Sequence, residues 1–312
     1  MNAPHPLIVV LGPTASGKSA LGISLAEKLN GEILVCDSTQ VYRRFDIGTA
    51  KVAAAERRGI AHHLVDLVDA DAVFTAGEFR KLALEALADI SARGKLPILT
   101  AGTGLYLRAL LDGLADAPAR SEDLRERLRR SAELRGHEYL HRLLARLDPA
   151  SATRIAPRDT QKIIRAIEMR ILTGKSVGEI HGSGRDALSG YAITKIGLAP
   201  PRAELYAKID ARAHAMLAAG WLDEVRSLAA SGISASAKPF QFIGYSELRA
   251  HLETRVPLDE AVAQIQRATR QFSKRQMTWF RREKDVHWLT GFGDDAAVVS
   301  AALALVQSPA RA

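Results

Sequence analysis

Along the chain, short runs of Val, Ile and Leu alternate with longer stretches in which apolar side chains recur every three or four positions. The short runs fall at 7–11, 32–36, 96–99 and 193–199. They lack the in-out alternation of a half-exposed sheet, which suits strands covered on both faces, as in a parallel sheet flanked by helices. The stretch 75–93 carries Phe79, Leu82, Leu84, Leu87 and Ile90 at roughly helical spacing with Gly94 behind it, and predicts a crossover helix. From 115 to 190 the texture changes to an Arg-dense helical pattern, broken at Pro118 and between Pro149 and Pro157. The expected organisation is therefore a first core segment at 1–114, an inserted helical domain at 115–190 and a second core segment at 191–312. That last segment is helical over 202–252 and 258–283, and its tail, 307–312, is expected to fray.

Composition narrows the class. Of 312 residues, 47% are hydrophobic and 25% charged, an ordinary globular balance that excludes a disordered or collagen-like chain. The apolar run at 7–11 is too short to span a bilayer and 1–6 holds no Lys or Arg, so a cytoplasmic protein without a membrane segment is expected. Cys36 is the only cysteine, which removes internal disulfides and Cys-rich zinc sites. A net charge of +8 favours a polyanionic partner, with a merely soluble basic surface as the plainer alternative.

The strongest local chemistry is Gly12-Pro13-Thr14-Ala15-Ser16-Gly17-Lys18-Ser19, which satisfies G-x-x-x-x-G-K-[ST] directly after one expected strand and before an expected helix. Its glycines let backbone N–H groups converge on phosphate oxygens, the helix N-terminus adds a favourable dipole, Lys18 supplies a charge and the Ser19 hydroxyl can ligate Mg²⁺. With this loop, the fold class becomes α/β, a P-loop NTPase-like core with an inserted all-helical domain. ATP is the default occupant, but the strand at 96–99 ends in Thr100-Ala-Gly-Thr103 rather than an acidic residue, and Asp66 and Asp69 are weak substitutes. Another diphosphate fits as well. Asp37, at the carboxyl end of the second strand, is a candidate base, and Gln40 offers a donor and an acceptor suited to an adenine edge. A turn-capping Asp is the alternative, and Gly48-Thr-Ala-Lys51 reads as a surface turn.

Arg267, Arg270, Lys274, Arg275, Arg281, Arg282 and Lys284 crowd one helical stretch. Arg267, Arg270, Lys274 and Arg281 share a face expected to meet phosphates, while Phe272 and Trp279 lie on a core side; Trp279, Phe280 and Trp288 are expected in the core. His137-Glu-Tyr-Leu-His141 spells H-E-x-x-H but has no third ligand in view, and His62-His63 is expected to be structural.

Several segments together resemble the bacterial tRNA dimethylallyltransferase family: 12–19, 37–43, 46–51, 101–106, 242–245 and 270–280, in family order from about residue 7 to 290. The resemblance implies transfer of a dimethylallyl group from dimethylallyl diphosphate, with Mg²⁺, to N6 of the adenosine immediately 3′ of the anticodon. The substrates implied are tRNAs reading codons that begin with U, bound through the anticodon stem-loop by a monomer. Residue by residue, it implies Asp37 as general base and Gly12, Pro13, Thr14, Ala15, Ser16, Gly17, Lys18, Ser19 and Arg212 around the diphosphate. For tRNA it implies Asp37, Ser38, Thr39, Gln40, Thr103 and Arg125, then Gln161, Lys162, Ile163, Ile164 and Arg165, and finally Gln241, Phe242, Ile243, Gly244, Tyr245 and Ser246.

Overall fold

The structure, a computed structural model, describes residues 3–182, 184–253 and 255–307. Of the tail expected to fray, only Gln307 lies within them. The chain divides into two compact units: one runs to Leu110 and resumes at Ser189, and the other is Leu111–Leu188.

The first unit is built on six parallel strands, β1 (His5–Leu11), β2 (Gly31–Cys36), β3 (His62–His63), β4 (Leu96–Ala101), β5 (Tyr191–Leu198) and β6 (Val286–Leu289), in the order β3-β2-β4-β1-β5-β6. Parallel neighbours require crossovers, and α1 (Lys18–Leu29), α2 (Ala76–Ala92) and α3 (Gly104–Leu111) supply the early ones. Ile8, Val10, Ile33, Val35, Ile98 and Ile196 form one apolar cluster with Leu21 and Leu25 of α1, and the intervening Leu7, Val9, Leu11, Leu34 and Leu99 are buried as well, which explains the unbroken hydrophobic runs. β2 and β4 stay in register up to Cys36 and Ala101, and β1 reaches the same level at Leu11. The loops leaving three strands therefore meet at one edge, where ligands of open α/β sheets bind.

Edge strand β3 shows the use of the histidine pair. His62 Nδ1 meets the Ile60 carbonyl at 2.9 Å and His63 Nε2 meets Glu32 at 2.8 Å. Hydrogen bonds from Arg93, assisted by His63, hold the Glu32 carboxyl at about 2 despite its burial.

The second unit holds α4 (Glu122–Arg135), α5 (His137–Leu147), α6 (Pro149–Arg154), α7 (Thr160–Thr173) and α8 (Val177–Gly182). Leu128, Leu140, Leu144, Ile163, Ile164 and Ile167 form its core. At its centre Glu168 is fully buried. Arg125 reaches it through Nε at 2.8 Å and Nη2 at 2.7 Å, Arg165 through Nη1 at 2.5 Å, and the Ser121 N–H at 2.8 Å. Burial pushes the Glu168 carboxyl up, but these donors prevail and hold it at about 2. The H-E-x-x-H histidines serve packing here: His137 Nδ1 meets the Thr160 hydroxyl at 2.9 Å, and His141 Nε2 meets the Ala152 and Ile155 carbonyls at 3.0 and 3.1 Å.

The chain returns through β5 to α9 (Arg202–Ala218), α10 (Trp221–Ala230), α11 (Tyr245–Leu252), α12 (Leu258–Phe280) and α13 (Ala296–Gln307). Val298 and Ala302 of α13 complete the cluster beneath β1 and β5. Among the described residues no helix is long and apolar enough to cross a membrane.

Candidate active site

The phosphate loop leaves β1 at Leu11 and curls into α1. Ala15 at φ 62° and Gly17 at φ 85° take left-handed conformations that bring the chain round within a few residues. A side chain on Gly17 would strike the Gly293 nitrogen at 2.6 Å, because the loop at 291–295 lies directly against it and the Gly293 N–H donates to the Ser16 carbonyl at 2.9 Å. Lys208 of α9 anchors that outer loop by pairing with Asp294 at 2.9 Å. Within the phosphate loop, Lys18 Nζ donates to the Pro13 carbonyl at 2.8 Å, Ser19 is exposed at the head of α1, and the Ser16 hydroxyl is buried with no partner among the described residues.

The electrostatics of this corner are unbalanced. Burial drives the Lys18 ammonium down to about 8; Asp37 opposes that shift and Arg212 adds to it. Burial likewise lowers Arg212 of α9, again against the pull of Asp37. Two half-buried cations and one half-buried carboxylate thus feel each other, with positive charge in excess, an arrangement favourable to a polyanion.

Asp37 stands at the end of β2. Its Oδ1 accepts from the Thr39 N–H at 2.9 Å and the Thr39 hydroxyl at 2.7 Å, so the turn-capping expectation holds for that oxygen. Oδ2 faces Gly102, where an added Cβ would lie only 2.6 Å from it, and accepts no hydrogen bond among the described residues. Thr103 ties the two strand ends together: its Oγ1 accepts from the Ser38 N–H at 3.0 Å and lies 3.2 Å from the Ser38 hydroxyl.

The turn at 48–51 does not lie on the surface as its sequence suggested. Glu224 of α10 accepts from the N–H groups of Asp46, Ile47 and Gly48 at 3.0, 2.8 and 3.4 Å, and the Tyr245 hydroxyl donates to it at 2.6 Å. Gly48 abuts the Trp221 indole, and Lys51 is buried with Nζ on the Tyr42 carbonyl and on Asp46 and Asp66. Gln40 also turns inward. Its Nε2 donates to the Thr49 and Ala50 carbonyls at 3.1 and 3.3 Å, so the amide donor expected to face an adenine holds this loop instead. Asp66 pairs with Lys51 and Asp69 with Arg43, which commits both weak substitutes for a metal-holding acid.

Part of the 241–246 segment is a prop for the same loop. Phe242 meets Tyr42 at a ring distance of 5.7 Å and Tyr245, fully buried, meets Phe45 at 5.0 Å; Gly244 presses on the Trp221 ring. Gln241 and Ser246 are exposed, with Ile243 half-buried. In the second unit Ile163 and Ile164 are core residues and Arg125 and Arg165 are bound to Glu168, whereas Gln161 and Lys162 face outward.

Helix α12 corrects the expected division of faces. Its buried stripe is Ile265, Ser273, Gln276 and Phe280; Phe272 and also Trp288 are 36% exposed, outside the expected core. Arg270 pairs with Asp210 of α9 at 2.6 Å and so is not a free phosphate-facing cation. Lys274, Arg275 and Arg282 instead line an open groove of about 400 Å³ with Gln271, Thr278 and Trp279. Arg108 of α3 stacks on Trp279 at 4.9 Å and pairs with Glu283 at 3.0 Å. Glu224, Gly293 and Gln276 were not singled out as site residues because each acts on a backbone group far away in sequence; only the position of Gln276 inside the family-like segment 270–280 offered a signal.

Residues 40–283 match the family described as IPP transferase. The chain is 52% identical over 289 residues to a tRNA dimethylallyltransferase of Solibacter usitatus, covering 93% of this chain and 94% of that one. It is 48% identical to that of Koribacter versatilis, over 97% of this chain and 98% of the other. Among solved structures, the tRNA isopentenylpyrophosphate transferase of Bacillus halodurans matches with TM-score 0.70 and 35% identity over 97% of both chains. A eukaryotic dimethylallyltransferase acting on tRNA matches with TM-score 0.79 and 29% identity, over 92% of this chain and 74% of the other. Strand order, phosphate loop and relatives agree, and the chain belongs to the IPP transferase family.

Proposed function

We infer that this protein transfers a dimethylallyl group from dimethylallyl diphosphate to N6 of the adenosine immediately 3′ of the anticodon in tRNA, releasing diphosphate. The observation that carries the reading is the curled phosphate loop with Lys18 set at the same strand edge as Asp37, whose Oδ2 accepts no hydrogen bond among the described residues. An adenine amine is a weak nucleophile because its lone pair is delocalised into the ring. Asp37 Oδ2, which faces Gly102 beside its committed partner Oδ1, accepts the N6 proton as the N–C bond forms. The allylic C–O bond breaks with its electron pair leaving on the diphosphate. Charge growing on those oxygens is stabilised by the phosphate-loop N–H groups, Lys18 and Arg212.

The donor set at the loop fits Mg²⁺ shared with a diphosphate: the exposed Ser19 hydroxyl beside Lys18 is a hard oxygen ligand of the kind that completes a phosphate-held Mg²⁺. When bound, the ion neutralises charge on the leaving group. The basic groove of α12 and the outward Gln161 and Lys162 are the surfaces offered to RNA phosphates. Extrusion of the target base is less costly in an anticodon loop than in a duplex.

The test is mass spectrometry of nucleosides from unmodified tRNA whose anticodon is followed by adenosine, incubated with protein, Mg²⁺ and either dimethylallyl diphosphate or ATP. A five-carbon addition to adenosine, seen with the prenyl donor and lost in Asp37→Ala, is expected. Consumption of ATP against a small hydroxyl compound without any adduct would replace this reading with a kinase.

A further inference from the structure

Between the phosphate loop and the strand end that carries Asp37 stands one side chain that touches both. Gln276 of α12 is 7% exposed. Its Oε1 accepts from the Thr14 N–H at 2.7 Å and its Nε2 donates to the Gly102 carbonyl at 2.8 Å. The two partners fix the amide's orientation, since Thr14 offers a donor and Gly102 an acceptor. An amide of this reach accepts and donates at once, which an ionised carboxylate cannot; an apolar residue would pack in the same place and hold neither.

What the two partners carry makes this more than packing. Thr14 belongs to the loop with left-handed Ala15 and Gly17, whose curvature depends on its pins. Gly102 is the residue against which Asp37 Oδ2 rests. We propose that Gln276 is a positioning residue that fixes the diphosphate-holding loop against the Asp37 carboxylate, so that leaving group and proton acceptor stay aligned. This rests on the function inferred above. It acts through Thr14 and Gly102 and touches no reacting atom; displacement of about 1 Å between such groups costs about a hundredfold in rate.

The experiment compares wild type with Gln276→Met, which keeps the side-chain length and packing, and Gln276→Glu. For Gln276→Met, a folded protein is expected whose affinity for inorganic diphosphate, by calorimetry, falls about tenfold with the loss of the Thr14 pin. Its kcat should fall about fiftyfold at unchanged KM for tRNA. In Gln276→Glu, the protonated carboxyl reproduces both hydrogen bonds and the ionised form only the one from Thr14. Its rate relative to wild type should therefore rise as pH falls. Asp37, Lys18 and Arg212 are common to both proteins, so the ratio isolates the side chain at 276. Wild-type kcat and diphosphate affinity in Gln276→Met, or a pH-independent ratio in Gln276→Glu, overturns the proposal. Should wild type itself form no prenyl adduct, the functional reading falls, and the diphosphate titration alone decides the role of Gln276.

Discussion

The corner around Asp37 and the centre of the helical unit both set basic side chains around a carboxylate, yet they are opposites. Glu168 is saturated: three residues donate four hydrogen bonds to it, its acidity is raised to about 2, and Arg125 becomes a weaker acid than usual through the same hydrogen bonds. Around Asp37 the cations are pushed the other way, Lys18 to about 8, because burial outweighs the one carboxylate available. A charge cluster that satisfies itself holds a fold together. One that does not is waiting for a ligand to complete it.

The sharpest break of this contrast is Asp37→Asn, which keeps the acceptor for Thr39 and removes the base. Prenyl transfer should drop about a thousandfold with thermal melting nearly unchanged. Glu168→Gln should do the reverse: it strands two arginines in the helical unit and destabilises it by about 3–5 kcal/mol in urea denaturation, while inorganic diphosphate binds the other unit as before. Arg212→Gln is predicted to lower kcat about a hundredfold, yet leave the melting temperature equal or higher, since a desolvated cation is relieved. A lower melting temperature would place Arg212 with Glu168 rather than with Asp37.

Titration gives the smallest and most diagnostic effects. The folded Glu168 carboxyl is more acidic than its ordinary value of 4.5, so its stabilisation is complete above that pH and is lost as pH falls from 4.5 towards 2. Lys18 gives a slope of the same sign in a more alkaline window, there as the relief of a penalty rather than the gain of a stabilising contact. Its folded value of about 8 lies below the ordinary 10.5, so the unfolded chain binds more protons between these values and the Lys18 penalty fades as pH rises through that window. Diphosphate should restore the charge, and calorimetry near pH 9 in buffers of different ionisation enthalpy should record proton uptake that Lys18→Met lacks.

What the sequence disclosed was local, and what it hid was distant. The phosphate loop, the strands around it and Asp37 at a strand end are legible because each depends on neighbours in the chain. Val286–Leu289 was missed as a strand because two of its four positions, His287 and Trp288, are exposed and only pairing with β5 makes it one. Gly48 looked like a turn residue because nothing nearby announces Glu224 and Tyr245 beneath it, and Lys51 because its burial depends on the Tyr42 carbonyl and Asp66, outside that turn. Arg125 and Arg165 matched an RNA-contacting pattern, yet their guanidinium groups are bound to Glu168, whose burial has no sequence signature.

The pinning of Thr14 by Gln276 spans 262 residues of chain. At ribosomal speeds of about 5–20 residues per second, the phosphate loop is made roughly 13–50 s before that partner exists. The later arrival of Gly293 extends the wait. An emerging polypeptide therefore carries the phosphate-loop sequence long before it can carry a finished catalytic centre, and the enzyme gains its competence only once these distant segments have been made rather than by degrees.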